Sequence, residues 1–237
     1  MSDRTSSDDA DAGPSVATIF VRRLMRRIFV GVELLLIRHA LPVRRELDEG
    51  IADPELSPDG HAQAEHLARY LADERIDAIY ASPLRRAHQT AEPLARLQEL
   101  TIVTEDGVAE YDRGASWYVP VEELKASNDP RWQEMLDGTW HASLEIDPFE
   151  FRDTLCAAIE RIVTAHPSQK VAIVCHGGVI NAYVSRILDL DDPTGFFYPN
   201  YTSIHRVMAA RSGERSILTL NETAHLRGTG LPVGIND

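Results

Sequence analysis

The chain has 237 residues (26.4 kDa), of which 43% are hydrophobic and 26% are charged. This is the composition of an ordinary globular protein, and it excludes collagen, a coiled coil and a wholly disordered chain. The formal net charge of −13 argues against nucleic acid and anionic membranes as partners, because both carry the same sign of charge. Cys156 and Cys175 lie in apolar runs without the spacing of metal ligands. They predict small buried thiols in a reducing, cytoplasmic compartment.

The first thirty residues differ from the rest of the chain. Residues 1–15 are polar and acidic without periodicity, which predicts a disordered tail. Residues 16–30 are a basic amphipathic segment in which apolar pairs alternate with arginine pairs at a helical period. This segment is too short and too charged to span a membrane. It would dock on a partner, lie on a membrane surface, or extend a chain whose natural start is Met25; docking is favoured over the membrane surface.

Residues 31–221 show alternating strand and helix patterns, without an internal repeat or linker, and are predicted to form one domain. Apolar runs at 34–37, 78–81 and 171–175 predict buried strands, and 101–104 predicts a shorter one. Helical patterns follow Ser57-Pro58, Ser82-Pro83, Phe151 and Gly177-Gly178, and both serines are predicted N-caps. Residues 204–209 and 216–220 predict a hairpin, 222–237 a C-terminal tail, and 110–148 show no clear order. Strands separated by helices predict an α/β fold: a three-layer α/β/α sandwich around a mostly parallel sheet.

Basic side chains follow three of the predicted strands. Arg38 and His39 end the first, Arg86 lies in the first turn of the helix after the second, and His176 follows the third. Ligands of parallel sheets bind beyond the carboxyl ends of the strands, where helix N-termini also point. These four side chains therefore predict an anion pocket inside an acidic protein.

Phosphoryl transfer requires such a set of groups. A guanidinium can hold two phosphate oxygens and stays charged throughout the reaction. An imidazole nitrogen can attack phosphorus and form a phosphohistidine that water later opens. The departing alkoxide needs a proton from a carboxylic acid with a raised pKa. Because the protein itself supplies the cations, we expect neither a metal nor a cofactor.

Five motifs in chain order resemble the histidine phosphatase superfamily, also called phosphoglycerate-mutase-like. Residues 36–40 (LIRHA) are similar to its arginine–histidine–glycine motif, and residues 56–64 (LSPDGHAQA) to its leucine–threonine…glycine…glutamine–alanine helix start. Residues 82–91 (SPLRRAHQTA) match its second-arginine helix. Glu110 stands where the family keeps its proton donor, and His176-Gly177-Gly178 matches its second histidine. The similarity extends from about residue 33 to residue 209.

The resemblance implies a phosphoglycerate-mutase-like fold and assigns roles to the basic residues. His39 is implied to be the nucleophile that becomes phosphorylated. Arg38, Arg86 and His176 are implied to hold the phosphoryl group, and Gly177 joins them as a substrate-binding residue.

The motifs specify the proton donor and the leaving-group pocket less directly than they specify the basic residues. The resemblance implies that Glu110 donates the proton, with Asp112 as the rival acid. Arg45 stands where many members of the family carry asparagine; it would either bind substrate or form surface ion pairs. Four aromatic residues are candidates for the leaving-group pocket as well as for the core: Trp117, Tyr118, Trp132 and Trp140.

We therefore predict a metal-independent phosphomonoesterase of the histidine acid phosphatase type, acting on a small phosphorylated metabolite through a phosphohistidine. The first alternative is a phosphoglycerate mutase, which returns the phosphoryl group to its substrate. His-Gly-Gly in place of His-Gly-Asn, and the missing loop asparagine, favour hydrolysis. The second alternative is a non-catalytic phosphate-site scaffold. Residues 19–30 are the predicted contact with a docked partner or within a homo-oligomer.

Overall fold

The computed structural model of the chain describes residues 31–235. The predictions of a disordered tail at 1–15 and of a basic segment at 16–30 lie outside these residues. Within residues 31–235, no helix combines the length and the apolar content that crossing a bilayer requires.

A mixed sheet forms the centre of the described chain. Its strands are β1 (Val32–Arg38), β3 (Ala78–Ala81), β4 (Ile102–Thr104), β6 (Lys170–Cys175), β7 (Ile204–Ala209) and β8 (Arg215–Glu222). They lie in the order β4-β3-β6-β1-β7-β8, and the first four run parallel to one another. Strand β7 is antiparallel to β1, and β8 is antiparallel to β7. Two short strands, β2 (Arg45–Glu46) and β5 (Trp117–Tyr118), pair apart from this sheet.

Long helices cover both faces of the sheet. Helices α1 (Pro58–Tyr70) and α2 (Arg85–Gln98) pack on one face, and α6 (Pro148–Ala165) and α7 (Gly177–Ile187) on the other. Between β5 and α6 lie three short helices, α3 (Val121–Ser127), α4 (Pro130–Leu136) and α5 (Trp140–Ser143). Single 3-10 turns occur at Asp106–Val108 and Ala224–Leu226. The predicted three-layer α/β/α sandwich with a mostly parallel sheet is confirmed.

Successive side chains of β1 enter opposite layers of the core. Leu34 and Leu36 pack with α6 and α7, whereas Leu35 and Ile37 pack with α1 and α2. All four side chains are fully buried. A strand covered on both faces has no polar face, which explains the uninterrupted apolar run in the sequence.

Of the two predicted serine caps, the structure contains one. Gly60 N donates to Ser57 Oγ at 3.0 Å, so Ser57 caps α1 as expected. The cap predicted at Ser82 is wrong: α2 begins at Arg85, and its N-cap Leu84 makes no side-chain cap bond. Ser82 N donates to the carbonyl of Val174 at 3.0 Å, so the backbone continues the sheet past the end of β3 before the helix begins.

The residues after β8 pack against the domain. Strand β8 ends at Glu222, just inside the predicted tail of 222–237. Leu226 is buried, and Gln63 Nε2 donates to the carbonyl of Pro232 at 2.6 Å. Tyr201 N donates to the carbonyl of Val233 at 2.9 Å. As far as the structure describes it, this segment therefore covers part of the domain surface.

Candidate active site

The four basic residues singled out by the sequence meet at the carboxyl edge of the sheet. Arg38 is the last residue of β1, and His39 follows it with its N–H donated to the carbonyl of Cys175 at 2.9 Å. His176 follows the neighbouring β6, and its ring centroid lies 5.1 Å from that of His39. Arg86 enters from the first turn of α2. All four side chains are buried, so the charges and the imidazoles share a site shielded from water.

The tautomer of His39 follows from one hydrogen bond. Its Nδ1 lies 2.8 Å from the carbonyl oxygen of Ala40. A carbonyl oxygen only accepts, so Nδ1 carries the hydrogen and Nε2 keeps a free lone pair. Burial first, and then the charges of Arg86 and Arg38, lower the pKa of His39 well below 6.5. A neutral imidazole with a free nitrogen is the form that acts as a nucleophile.

Arg38 is fixed from several directions. Its Nη1 donates to the carbonyl of Pro199 at 2.6 Å. Its guanidinium carbon lies 4.3 Å from the ring centroid of Tyr201 and 4.8 Å from that of Tyr198. These cation–π contacts orient the guanidinium plane without neutralising its charge.

Buried donors at the site lack partners. Nε of Arg38, Nε of Arg86 and Nδ1 of His176 have no hydrogen-bond partner among the described residues. His176 Nε2, by contrast, lies 2.7 Å from Oγ of Ser82. Unsatisfied buried polar atoms are costly, so these three nitrogens, two of them guanidinium donors, together with two guanidinium charges fit a tetrahedral oxyanion.

Glu110 lies buried at the same site, with 6% of its surface exposed. Its Oε2 accepts from Gly178 N at 2.8 Å, and its Oε1 accepts from Tyr111 N at 3.2 Å. Burial, followed by the charge of Asp112, raises the pKa of Glu110 to about 7. Asp112 itself binds Arg86, with 2.8 Å between Oδ1 and Nη2. Glu110 is therefore the carboxyl group that can hold a proton near neutral pH, while Asp112 is engaged in an ion pair.

A cavity of about 500 Å³ opens over these groups. Arg38, His39, Arg86, Glu110 and Gly177 line one end. The remainder is lined by segments 111–144 and 194–199, which are rich in aromatic residues. All four aromatic candidates from the sequence line it: Trp117, Tyr118, Trp132 and Trp140.

The structure does not bring Arg45 into this cavity. Its Nη2 donates to both carboxylate oxygens of Glu55, at 2.9 and 2.8 Å. An arginine held by a carboxylate in this way forms the surface ion pair that was the alternative interpretation. Within the part of the chain that the structure describes, no group of three or more histidine, cysteine, aspartate or glutamate side chains could hold a metal ion.

Sequence reasoning missed three residues that shape the site: Ser82, Tyr198 and Tyr201. Ser82 carries a signal, since it follows a strand next to the one that His176 follows, but a serine before proline predicts a helix cap instead. The two tyrosines come from an irregular segment between α7 and β7, where no periodicity predicts which side chains face the site.

Comparison with known proteins agrees with this geometry. The model of the histidine phosphatase superfamily (branch 1) matches residues 34–223. Phosphoserine phosphatase 1 of Hydrogenobacter thermophilus is 29% identical over 206 residues, which cover 82% of this chain and 94% of the relative. The structure of phosphoserine phosphatase from Entamoeba histolytica in complex with 3-phosphoglyceric acid aligns with a TM-score of 0.65 at 25% identity, covering 82% of this chain and 99% of the other.

A third likeness concerns the fold alone. Phosphoglycerate mutase from Bacillus anthracis aligns with a TM-score of 0.65 at 18% identity, covering 85% of this chain and 97% of the other. The phosphoglycerate-mutase-like fold is thereby confirmed. Because the family model matches residues 34–223, most of the sequence, the chain belongs to the histidine phosphatase superfamily and is a phosphatase of that type.

Proposed function

We propose that the chain is a metal-independent phosphomonoesterase that hydrolyses a small phosphorylated metabolite through a phosphohistidine on His39. One observation carries the proposal: the bond from Nδ1–H to the Ala40 carbonyl leaves a neutral Nε2 free beside buried donors that lack partners. A nucleophile and an oxyanion site in one pocket are what phosphoryl transfer needs.

In the first step His39 Nε2 attacks phosphorus, and the bond from phosphorus to the ester oxygen breaks. Arg38 and Arg86 hold the non-bridging oxygens and keep their charge throughout. His176 assists as a neutral donor, because burial and the charge of Arg86 lower its pKa well below 6.5. In this proposal Ser82 donates its hydroxyl hydrogen to Nε2 of His176, so the hydrogen of this imidazole resides on Nδ1 and is available to the phosphoryl oxygens.

Glu110 completes both steps. Protonated Glu110 gives its proton to the departing alkoxide, and the resulting carboxylate then takes a proton from the attacking water. The water oxygen bonds to phosphorus, the bond from phosphorus to His39 breaks, and inorganic phosphate leaves. A pKa of about 7 suits both roles, because the acid and its conjugate base are both accessible at neutral pH.

The relatives support hydrolysis over isomerisation. One relative, covered over 94% of its length, is a phosphoserine phosphatase. The likeness to the Bacillus anthracis mutase, at 18% identity, is one of fold. For the location we propose the cytoplasm, because Cys156 and Cys175 are both free thiols.

The test is phosphate release from p-nitrophenyl phosphate by the purified chain, with and without His39→Ala. We expect turnover in the wild type, loss of more than about 1,000-fold in the variant, and no effect of the control His61→Ala, whose side chain is exposed on α1. Turnover that survives His39→Ala would overturn the proposal. Incubation with 3-phosphoglycerate separates the alternatives: phosphate indicates a hydrolase, 2-phosphoglycerate without phosphate a mutase, and no turnover of any ester a scaffold.

A further inference from the structure

The cavity has two chemically different ends. Arg38, His39 and Arg86 form the phosphate end at the edge of the sheet. The other part of the lining comes from the short helices and from residues 194–197, and its large side chains are predominantly apolar: Leu124, Trp132, Met135, Leu136, Trp140 and Phe196. Because a phosphate ester places its alcohol part away from the nucleophile, this apolar end receives the leaving group.

The cations of the lining are already committed. Arg38 and Arg86 belong to the phosphate end. The third, Arg131, donates from Nε and Nη2 to the carboxylate of Asp129 at 2.9 and 2.7 Å. Its Nη1 also lies 3.3 Å from Oε2 of Glu46. Two carboxylates therefore neutralise this arginine before any substrate arrives.

The lining also contains carboxylates. Glu110, Asp112 and Glu134 all contribute to it. Among the described residues, a carboxylate on the alcohol part of a substrate would thus meet apolar surface and the carboxylate of Glu134, with no uncommitted cation in the lining. Removing such a group from water without a partner is strongly unfavourable.

Apolar surface at the mouth points to the chemistry that is accepted instead. Leu136 is 59% exposed and Phe196 is 48% exposed, although both line the cavity. Trp140 stacks on Tyr111 with 3.9 Å between ring centroids and 31° between planes, which gives the cavity a flat wall. Exposed apolar groups around a cavity mark a binding surface for an apolar partner.

Building on the proposed function, we infer that the substrate is a phosphate monoester of an uncharged, apolar alcohol, with an aryl or extended alkyl group. Esters of hydroxy acids, which carry a carboxylate beside the phosphate, are disfavoured at this site. The inference concerns the alcohol part alone and leaves the phosphohistidine chemistry unchanged.

The test compares two esters that differ in one charge: 2-phenylethyl phosphate and its para-carboxylate analogue. Both release a primary alcohol, so the chemical step is matched. We expect kcat/KM to be at least about 10-fold higher for the uncharged ester, because the carboxylate would lose its hydration without compensation. The activity ratio of 2-phenylethyl phosphate to methyl phosphate then measures the apolar end by itself.

Variants locate the effect. Trp140→Ala removes the flat wall and is expected to lower that ratio roughly 10- to 100-fold, as burial of an aromatic ring predicts. Leu136→Ser, at an exposed position where folding is not at stake, lowers it about 3- to 10-fold. Phe149→Ala is the matched control, since Phe149 is 52% exposed and lies outside the cavity lining. It leaves the ratio unchanged.

Different results would overturn the inferred substrate class and the proposed phosphatase function. Equal or faster hydrolysis of the carboxylate ester, dependent on His39, would overturn the inference and leave the phosphatase proposal standing. An unchanged ratio in both Trp140→Ala and Leu136→Ser would likewise overturn it. Absence of turnover for both esters and for p-nitrophenyl phosphate would overturn the proposed function and this inference together.

Discussion

Replacing Glu110 by glutamine removes the one buried carboxyl group at the site whose pKa lies near neutrality. The amide keeps the size of the side chain but has no proton to give to a departing alkoxide. Because general acid catalysis matters most for a poor leaving group, the loss must depend on the ester. We expect kcat/KM for an alkyl phosphate to fall about 10²- to 10⁴-fold. For p-nitrophenyl phosphate, whose phenolate leaves without help, we expect less than about 10-fold.

The pH dependence of activity and of stability gives a second measure of what Glu110 contributes. A pKa raised from 4.5 to about 7 corresponds to about 3 kcal/mol in favour of the protonated form in the folded protein. Protonated Glu110 is the acid, so the activity that depends on it falls about 10-fold per pH unit above pH 7. The same pKa shift makes the free energy of unfolding depend on pH. The stabilisation that protonated Glu110 contributes is fully present below pH 4.5 and is lost as the pH rises through about 7. Relative to Glu110→Gln, the wild type therefore loses stability with rising pH between these values.

The assay is the ratio of wild-type to Glu110→Gln kcat/KM from pH 5 to pH 9, because the ratio cancels the ionisation of the substrate. Asp112→Asn is the control: asparagine can still accept the hydrogen bond from Arg86. That variant should keep a descending limb, displaced to a pH below 7 because the charge of Asp112 contributes to the raised pKa of Glu110. An equal loss for both leaving groups, or a limb that survives Glu110→Gln and disappears in Asp112→Asn, would refute the assignment of Glu110.

Four further outcomes test the site and its surroundings. Gly178→Ala would place a Cβ against the carboxylate of Glu110 and 2.6 Å from Cε1 of Tyr111, so we expect a loss of roughly 100-fold on alkyl esters, as for a misplaced catalytic group. Gly177→Ala meets nothing closer than 3.8 Å, and its melting temperature should fall less than that of Gly178→Ala. Ser82→Ala leaves Nε2 of its histidine partner without a hydrogen bond, which should weaken inhibition by inorganic phosphate about 10-fold; unchanged inhibition would contradict the proposed tautomer. Added EDTA should leave phosphate release unchanged, and strong inhibition would indicate a metal mechanism.

The sequence predicted the elements whose causes are local or periodic. Residues 34–37 are all apolar because both faces of β1 are covered, and an uninterrupted apolar run is a pattern that the sequence alone shows. Ser57, followed by proline, caps α1 as the local sequence predicts. Strand ends also sufficed to bring Arg38, His39, Arg86 and His176 to one edge, since the carboxyl ends of parallel strands share that edge.

What the sequence did not predict depends on contacts between distant residues. Ser82 precedes a proline just as Ser57 does, yet the backbone there extends the sheet and its hydroxyl meets a histidine 94 residues away. The choice of Glu110 over Asp112 rests on which carboxylate is left without an arginine, and only the folded chain decides that. Helices α3 to α5, with seven, seven and four residues, are too short for a periodic pattern to emerge.

The division of the cavity between the sheet edge and helices α3 to α5 has an evolutionary consequence. Arg38 and His39 lie at the end of β1 and Arg86 in the first turn of α2, whereas much of the lining to which we assign the selection of the alcohol comes from the segment between β5 and α6. Residues 121–144 can then diverge, or be exchanged with those of a relative, without disturbing the reacting atoms. A chimaera in which residues 121–144 come from a relative would keep the reaction of this protein and take its substrate preference from that relative.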